Sequence, residues 1–259
     1  MSNELFDLSG RTALVTGASR GIGEAIAHLL AHYGAHVVCT SRKLDGCQAV
    51  ADAITAKGLK AEAAAMHIGD TDAIDALFDG FAAQGRQVDV LVNNAGWDRA
   101  GNFLDTDKAL WDQVVAVNLY GPLFMHHAVL KGMSDRGRGR VVNIASDAAR
   151  VGSTGEAVYA LCKGGMIAFS KTMARELSRK QISVNVVCPG PTDTALFADF
   201  AGEGEGADKL RQGLARAIPF GRLGQPSDLP GAIAFLASDD AAFITGQVIS
   251  VSGGLTMVG

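Results

Sequence analysis

The sequence lacks the features that place a protein in a membrane, in a secretory pathway or around a metal. No apolar run reaches the ~18 residues that a membrane span needs. The N-terminal segment MSNELFDLSGRTALVTG has no basic region followed by a long apolar stretch, so we expect no secretory signal. The 4 cysteines are scattered and form no CxxC pair. This predicts free thiols in a reducing, cytoplasmic location rather than disulfides or a metal site.

The chain also has no excess of positive charge and no recognisable linker. Its formal net charge is −4 and its sequence pI is about 5.8, which argues against a nucleic-acid partner. Only 6 of its 259 residues are proline, and no Pro- or Ser-rich segment divides it. Because 48% of the residues are hydrophobic, the chain can bury a sizeable core. We therefore expect a single domain over residues 1–259.

Short apolar runs alternate with longer segments of helical periodicity. Strands are predicted at TALVT, AHVVCT, AEAAAMHI, VDVLVNN, GRVVNIAS, ISVNVVCPG and GQVISVSGG, and helices between them include 71–85, 107–133 and 156–179. Near-continuous Val and Ile runs separated by helices are typical of a parallel sheet covered on both faces. The predicted fold class is therefore α/β, a Rossmann-type doubly wound parallel sheet of about seven strands.

One stretch, residues 192–225, shows no such periodicity and is predicted to be irregular. Its centre, GEGEGAD, is glycine-rich and acidic, and it follows the end of a predicted strand. Sites in sheets of this kind form at the carboxyl ends of the strands. The segment is therefore either a lid over a substrate or a plain surface excursion.

Three glycines follow the first strand directly and open the first helix, which is the context of a nucleotide-binding loop. Glycine permits a tight turn and a close approach of the backbone to a ligand. The N-terminus of the helix can then offer N–H groups to a pyrophosphate. We predict that the loop binds a dinucleotide through Gly17, Ser19, Arg20, Gly21, Ile22 and Gly23.

The acidic residue that usually follows such a loop by about 20 positions, and that binds the ribose of NAD, is missing. The second strand is instead followed by Ser41, Arg42 and Lys43. Arginine presents a planar fork of donors that suits a phosphate dianion, and Arg20 lies in the glycine loop. We predict that the two arginines, beside Ser41, converge on a 2′-phosphate, so that NADP(H) is preferred over NAD(H). Lys43 either assists them or is a solvated cation at the start of a helix.

A tyrosine and a lysine four positions apart predict acid–base chemistry. Tyr159 and Lys163, in YALCK, lie on one face of a predicted helix. The ordinary pKa of a tyrosine is about 10. A nearby ammonium, together with the positive nicotinamide of an oxidised coenzyme, is expected to lower it by stabilising the phenolate. Ser146, at the end of the fifth strand, places a hydroxyl where it can hold a carbonyl or hydroxyl oxygen of a substrate.

These motifs together resemble the short-chain dehydrogenase/reductase family. The glycine loop has the spacing T-G-x-x-x-G-x-G, NNAG ends the fourth strand, and Asn118 in VAVNLYGP joins Ser146, Tyr159 and Lys163 as a tetrad. The resemblance covers essentially the whole chain. It implies that Asn118 anchors a water in a relay from the lysine to solvent. It also implies a homotetramer formed through the long helices and the C-terminal segment.

The resemblance implies further coenzyme contacts. Besides Tyr159 and Lys163, they are expected at His67, Ile68, Asn94, Ala95, Gly96, Pro189, Gly190, Thr192 and Thr194. His67 replaces the acid or amide that many members carry after the third strand. It either contacts the adenine or faces solvent.

Two narrower resemblances leave the substrate open. The catalytic half resembles the 2-hydroxycyclohexanecarboxyl-CoA dehydrogenases, which oxidise a β-hydroxyacyl-CoA, and the N-terminal third resembles NADPH-dependent carbonyl reductases. Substrate is expected to be sensed at Trp97, Asp98, Ala148, Arg150 and Gly152 and at the candidate lid. Arg150 either meets a phosphate or carboxylate of the substrate or forms a surface salt bridge. Three functions are considered: an NADP(H)-dependent oxidoreductase that interconverts a secondary alcohol and a ketone, a hydroxyacyl-CoA dehydrogenase, and a non-catalytic nucleotide-binding scaffold.

Overall fold

Residues 5–258 are described by the computed structural model, and their seven strands form one parallel sheet. The strands are β1 (Thr12–Thr16), β2 (His36–Ser41), β3 (Ala61–Ala65), β4 (Val90–Asn93), β5 (Gly139–Ile144), β6 (Ile182–Pro189) and β7 (Val248–Val251). Their order, β3-β2-β1-β4-β5-β6-β7, reverses between β1 and β4. The α/β fold with a doubly wound parallel sheet is therefore confirmed. Residues 1–4 and 259 of the predicted domain lie outside the described residues.

Ten α-helices connect and cover the strands within the described residues. They are α1 (Gly21–His32), α2 (Leu44–Thr55), α3 (Thr71–Ala83), α4 (Lys108–Val115), α5 (Gly121–Arg136), α6 (Ala148–Val151), α7 (Ala157–Leu177), α8 (Ala195–Ala201), α9 (Glu205–Ala217) and α10 (Pro230–Ala237).

The apolar strands follow from burial on both faces of the sheet. Neighbouring residues of a strand point to opposite faces, and in β1 the side chain of Leu14 joins one core while that of Val15 joins the other. The first core packs against α1, α2 and α10, and the second against α3, α5 and α7. Because neither face meets water, the strands contain continuous apolar runs rather than alternating ones.

The helix predicted over 107–133 is present, but it was predicted without an interruption of its α-helical geometry. The structure has α4 and α5 joined by one π-helical turn, Ala116–Tyr120. A π turn inserts an extra residue into a helix and often marks a functional site. The helix ends at Arg136 because Gly137 adopts a left-handed φ of 67°.

The irregular structure predicted for residues 192–225 was also wrong in part, because α8 and α9 lie within it. The turn between them uses Gly202 and Gly204, with φ of 73° and 82°. Glycine adopts such angles without strain, so the GEGEG run specifies a turn between two short helices. The lid role of this segment stays a prediction.

In the part of the chain that the structure describes, no helix is both long and apolar enough to cross a bilayer. Exposed apolar side chains do occur on the long helices, with Phe124 of α5 42% exposed and Leu161 of α7 69% exposed. Such side chains are compatible with a subunit interface. The homotetramer and the cytoplasmic location stay predictions.

A glycine substitution tests the close packing at the start of α5. A Cβ at Gly121 would lie 2.4 Å from the carbonyl oxygen of Ile68, so we expect Gly121→Ala to lower the free energy of unfolding by about 1–3 kcal/mol. The control is Gly80→Ala in α3, where a Cβ meets nothing within 4 Å. That change should raise stability by ~0.5–1 kcal/mol. Urea unfolding measures both, and equal effects would contradict the packing described.

Candidate functional site

A cavity of about 830 Å³ lies at the carboxyl ends of the strands, where the strand order reverses. Thr16 at the end of β1, Ser41 at the end of β2, Ser146 after β5 and Pro189 at the end of β6 all line it. A crevice at this position is where ligands bind in sheets of this kind. The cavity is therefore the candidate active site.

The glycine loop lies at one end of this cavity and is packed too closely for side chains. Gly17 and Gly21 have φ of 66° and 63°. A Cβ at Gly23 would lie 2.3 Å from the carbonyl oxygen of Gly17. Helix α1 begins at Gly21, and no side chain caps its N-terminus. An open helix N-terminus beside a bare backbone loop fits a pyrophosphate group.

Two polar side chains hold the loop against the end of β4. The Asn94 amide donates to the carbonyl oxygens of Thr16 (2.9 Å) and Gly17 (3.2 Å). In return, the Thr16 hydroxyl accepts the backbone N–H groups of Asn94 and Ala95, both at 3.0 Å. Asn94 thus acts on the loop itself besides lining the cavity. The sequence analysis missed the role of Thr16, although its place in T-G-x-x-x-G-x-G was a signal.

The residues predicted to contact the 2′-phosphate differ in whether their side chains already have partners within the protein. Arg20 and Arg42 line the cavity, are exposed and form no salt bridge among the described residues. Ser41 also lines it, but its hydroxyl donates to the Lys43 carbonyl oxygen at 2.7 Å. Lys43 itself does not line the cavity, because it precedes α2 on the exposed side of the turn. The guanidinium groups are therefore the free donors at this end.

The next turn places His67 and Ile68 on the cavity wall. His67 is exposed, and its Nδ1 accepts the backbone N–H of Gly69 at 3.1 Å. That bond puts the proton of the neutral imidazole on Nε2, which is then a free donor. Ile68 is 6% exposed and packs against the start of α5.

At the other end of the cavity, α7 presents Tyr159 and Lys163 beside Ser146. The Tyr159 side chain is hydrogen-bonded to that of Ser146. Lys163 is 3% exposed, and its Nζ donates to the Ile144 carbonyl oxygen at 2.8 Å. The same Nζ lies 5.5 Å from the centre of the Tyr159 ring. The two residues spaced four apart therefore meet Ser146 at the end of β5.

Within the chain alone, the charges at this end do not lower the pKa of Tyr159, and the expected lowering relied also on the positive nicotinamide of an oxidised coenzyme. Burial raises the pKa of the Tyr159 phenol, and the carboxylates of Glu156 and Asp98 raise it further. The hydrogen bond from Ser146 acts in the opposite direction but does not reverse the change. Burial also lowers the pKa of Lys163 to about 8. The chain alone thus keeps the phenol protonated at neutral pH.

Asn118 lies on the π-helical turn and is fully buried. Its Nδ2 donates to the carbonyl oxygens of Trp97 (2.6 Å) and Val114 (2.9 Å), and its Oδ1 accepts the Trp97 N–H at 3.3 Å. The amide therefore fastens the chain after β4 to the turn between α4 and α5. Because its donors are used in this way, the expected water relay through Asn118 stays a prediction.

The segment after β6 closes the cavity over the catalytic residues. Pro189, Gly190, Thr192 and Thr194 all line it, as do the predicted contacts Ala95 and Gly96. The Thr192 hydroxyl donates to the Gly190 carbonyl oxygen at 2.9 Å, and the Thr194 hydroxyl caps α8 by accepting the Phe197 N–H at 3.1 Å. These two threonines fix the path of the chain into α8.

Of the predicted substrate contacts, Trp97, Ala148 and Gly152 line the cavity, whereas Arg150 does not. The Arg150 guanidinium points to the C-terminal segment. It donates to the Ser250 hydroxyl at 2.9 Å and to the Val258 carbonyl oxygen at 2.6 Å. The expected substrate contact of Arg150 is therefore corrected to a structural tie. Since Leu255 and Thr256 line the cavity, this tie holds one of its walls.

A carboxylate three positions before Tyr159 was missed by the sequence analysis. Glu156 and Asp98 both line the cavity, and Glu156 stands in GEAVY, one turn of helix from the tyrosine. Burial raises the pKa of Asp98 to about 6, opposed by a hydrogen bond from the Arg99 backbone and reinforced by the charge of Glu156. Burial likewise raises the pKa of Glu156. No cluster of residues able to hold a metal occurs among the described residues.

Apolar side chains of α8 and α9 form another part of the cavity wall, which we call the apolar wall. They are Leu196, Phe197, Phe200, Leu210 and Leu214. The guanidinium of Arg211 packs over the Phe197 ring at 5.0 Å and pairs with Asp193 at 2.7 Å, which joins the two helices to the end of β6.

The chain is similar to known proteins over nearly its whole length. A family model described as enoyl-(acyl carrier protein) reductase matches residues 17–256. The 3-oxoacyl-[acyl-carrier-protein] reductase FabG of Escherichia coli (strain K12) is 38% identical over 252 residues, which cover 97% of this chain and 100% of the relative. Gluconate 5-dehydrogenase of Gluconobacter oxydans (strain 621H) is 37% identical over 257 residues, covering 98% of each chain.

A solved structure that contains NADP agrees with this chain in fold. Gluconate 5-dehydrogenase from Burkholderia cenocepacia J2315, in complex with NADP and tartrate, superimposes with a TM-score of 0.91 at 33% identity, with 98% of each chain covered. These similarities include the coenzyme end and the catalytic end together. The narrower resemblances to acyl-CoA dehydrogenases and carbonyl reductases stay predictions.

The tie formed by Arg150 can be tested without a substrate. Arg150→Met removes charge-assisted hydrogen bonds worth ~1.5–3 kcal/mol each, so we expect amide hydrogen exchange over residues 252–258 to accelerate about tenfold or more. Arg175→Met, an exposed site on the same α7 that carries Tyr159, is the control. If exchange at the C-terminal segment were the same in both variants, the tie would not hold the wall.

Proposed function

Because the chain belongs to the short-chain dehydrogenase/reductase family, we propose that it is an NADP(H)-dependent oxidoreductase that interconverts a secondary alcohol and a ketone. The main support for this proposal is that Tyr159, Ser146 and Lys163 lie together in the cavity that also contains the glycine loop. Gluconate 5-dehydrogenases and a 3-oxoacyl reductase among the relatives act, by their names, on hydroxyl and carbonyl groups.

The residues of the chain perform the proton transfer and the positioning. When bound, the coenzyme supplies the hydride acceptor for oxidation and the hydride donor for reduction. Tyr159 accepts the hydroxyl proton of an alcohol, or donates its own proton to a carbonyl oxygen. Ser146, already hydrogen-bonded to Tyr159, holds that same substrate oxygen. Lys163 supplies positive charge beside the phenol, which favours the phenolate formed in reduction.

The coenzyme preference rests on the charge of the adenosine end. Gly17, Gly21 and Gly23 leave room for a pyrophosphate, and α1 offers its N-terminus. Arg20 and Arg42 are exposed on the cavity wall without an anionic partner. Two unpaired guanidinium groups favour a nucleotide with an additional phosphate. NADP in the related gluconate 5-dehydrogenase supports this choice.

A second candidate is a hydroxyacyl thioester dehydrogenase on the same site. The apolar wall formed by α8 and α9 would suit an acyl chain or an alicyclic ring. The relative named 3-oxoacyl-[acyl-carrier-protein] reductase supports a β-oxidised acyl group as substrate. A third candidate, a nucleotide-binding scaffold without catalysis, makes no use of the group formed by Tyr159, Ser146 and Lys163.

Replacing the acid–base residue separates an enzyme from a scaffold. Tyr159→Phe removes the proton donor, so we expect kcat to fall about 10²–10⁴-fold while coenzyme binding stays within a factor of about three. Turnover is followed by nicotinamide absorbance with a panel of cyclic and linear secondary alcohols, ketones and β-hydroxyacyl-CoA esters. Tyr33→Phe, which removes a hydroxyl outside the cavity, is the matched control. Full turnover by Tyr159→Phe would rule out the mechanism.

The coenzyme preference is tested by reversing one charge. We expect Arg42→Asp to lower kcat/KM for NADP about 10–100-fold, because it removes charge-assisted hydrogen bonds worth ~1.5–3 kcal/mol. The value for NAD should stay the same or rise. Lys43→Asp is the control, since it adds the same charge next door at a side chain that does not line the cavity. An NAD preference in the unmodified protein, or equal losses in both variants, would disprove the phosphate contact.

A further inference from the structure

The cavity carries opposite charges at its two ends. Arg20 and Arg42 line it beside the glycine loop, whereas Asp98 and Glu156, which we call the acidic pair, line it beside Tyr159. Across residues 5–258, neither member of the acidic pair forms a salt bridge. The substrate end therefore presents negative charge that no nearby cation of the described chain pairs with directly.

The hydrogen bonds of the acidic pair leave capacity for a ligand. Asp98 accepts a hydrogen bond from the Arg99 backbone, and Glu156 accepts one from the Ser153 hydroxyl. The Oδ2 atom of Asp98 is buried and has no hydrogen-bond partner. A sheltered carboxylate oxygen without a donor is unfavourable. A ligand that brings a donor or a positive charge to this end would relieve that cost.

Of the basic residues near this end, Lys163 and Arg150 are bound elsewhere, and the exposed Arg99, next to Asp98 in the chain, forms no salt bridge among the described residues. Lys163 donates to the Ile144 carbonyl oxygen, and Arg150 donates to Ser250 and to the C-terminal segment. A third carboxylate, Asp147, lines the same region and is 4% exposed. The charged side chains that line the cavity near Tyr159 are therefore three carboxylates and one buried ammonium, that of Lys163. In a cavity sheltered from water, like charges repel more strongly than in bulk solvent, and salt screens them less.

We propose that the acidic pair selects the substrate by charge, accepting an uncharged, cationic or hydrogen-bond-donating group next to the reacting carbon and rejecting a carboxylate there. This selection rests on the proposed function, because it acts on the alcohol or ketone that Tyr159 converts. Together with the apolar wall of α8 and α9, it defines the substrate class. That class is an apolar alcohol or ketone whose neighbouring acid, where one is present, is masked as an ester, thioester or amide.

Three ligands that share one ring and differ only in charge test this selection. They are cyclohexanecarboxylate, cyclohexanecarboxamide and cyclohexylmethylammonium, titrated by calorimetry at pH 8 into the protein saturated with NADPH. At this pH Asp98 is ionised, since burial raises its pKa only to about 6. We expect the carboxylate to bind at least about tenfold more weakly than the amide, and the ammonium to bind at least as tightly as the amide.

Isosteric variants show whether the acidic pair causes the difference. In the double variant Asp98→Asn, Glu156→Gln, the affinities for the amide and the carboxylate should differ by less than about threefold. Each single variant should reduce this difference in affinity in part. The single variants keep the test available where the double variant does not fold. Asp105→Asn, at an exposed carboxylate outside the cavity, should keep the full gap. Equal binding of amide and carboxylate in the unmodified protein, or a gap that survives in all variants, would overturn the proposal.

A measurement of turnover distinguishes failure of the charge selection from failure of the proposed oxidoreductase function. The free acid and the ethyl ester of 2-hydroxycyclohexanecarboxylic acid are compared as alcohols, because β-keto acids lose CO₂ spontaneously. We expect kcat/KM to favour the ester at least about tenfold and the preference to shrink in the acidic-pair variants. Charge-ordered ligand binding without turnover of any alcohol would contradict the proposed function while supporting the selection. Turnover with equal rates for acid and ester would support the function and overturn the selection.

Discussion

The site depends on the junction between the ends of β1 and β4. There the sheet ladder stops, and the backbone groups of the glycine loop need other partners. The Asn94 amide satisfies the carbonyl oxygens of Thr16 and Gly17, while the Thr16 hydroxyl satisfies two N–H groups beyond β4. A Cβ at Gly23 would come within 2.5 Å of the Asn94 amide nitrogen. The loop therefore keeps its open shape because the chain after β4 passes beside it, as well as through its own glycines.

The segment after β4 also reaches the catalytic end of the cavity. It therefore connects the coenzyme-binding loop with the catalytic residues. A Cβ at Gly96 would lie 3.1 Å from Oδ1 of Asn118 and 3.6 Å from Nζ of Lys163. One residue later, both backbone groups of Trp97 bond the Asn118 amide. The π-helical turn supplies the extra residue that brings Asn118 to this position. The four residues 94–97 thus connect the coenzyme loop with the buried lysine.

The sequence predicted those parts of the molecule whose signal is local. Apolar runs buried on both faces identify the strands, and Tyr159 and Lys163 meet because a helix brings residues four apart together. The structural tie of Arg150 could not be predicted because its partners lie about 100 residues further along the chain. The π-helical turn was not predicted because one inserted residue barely changes the helical periodicity of the sequence. Helices α8 and α9 were not predicted because glycines between two short helices give the same sequence pattern as an irregular segment.

The charges of the substrate end connect selectivity with the direction of proton transfer. Glu156 and Asp98 raise the pKa of the Tyr159 phenol in addition to its burial, and Lys163, whose pKa is itself lowered to about 8, does not reverse this. A protonated phenol is the form that donates to a carbonyl oxygen, so the chain alone is prepared for reduction. Oxidation needs the phenolate and hence more positive charge near the ring than Lys163 provides. The carboxylates that would repel an anionic substrate therefore also oppose loss of the phenol proton, and one electrostatic feature governs both properties.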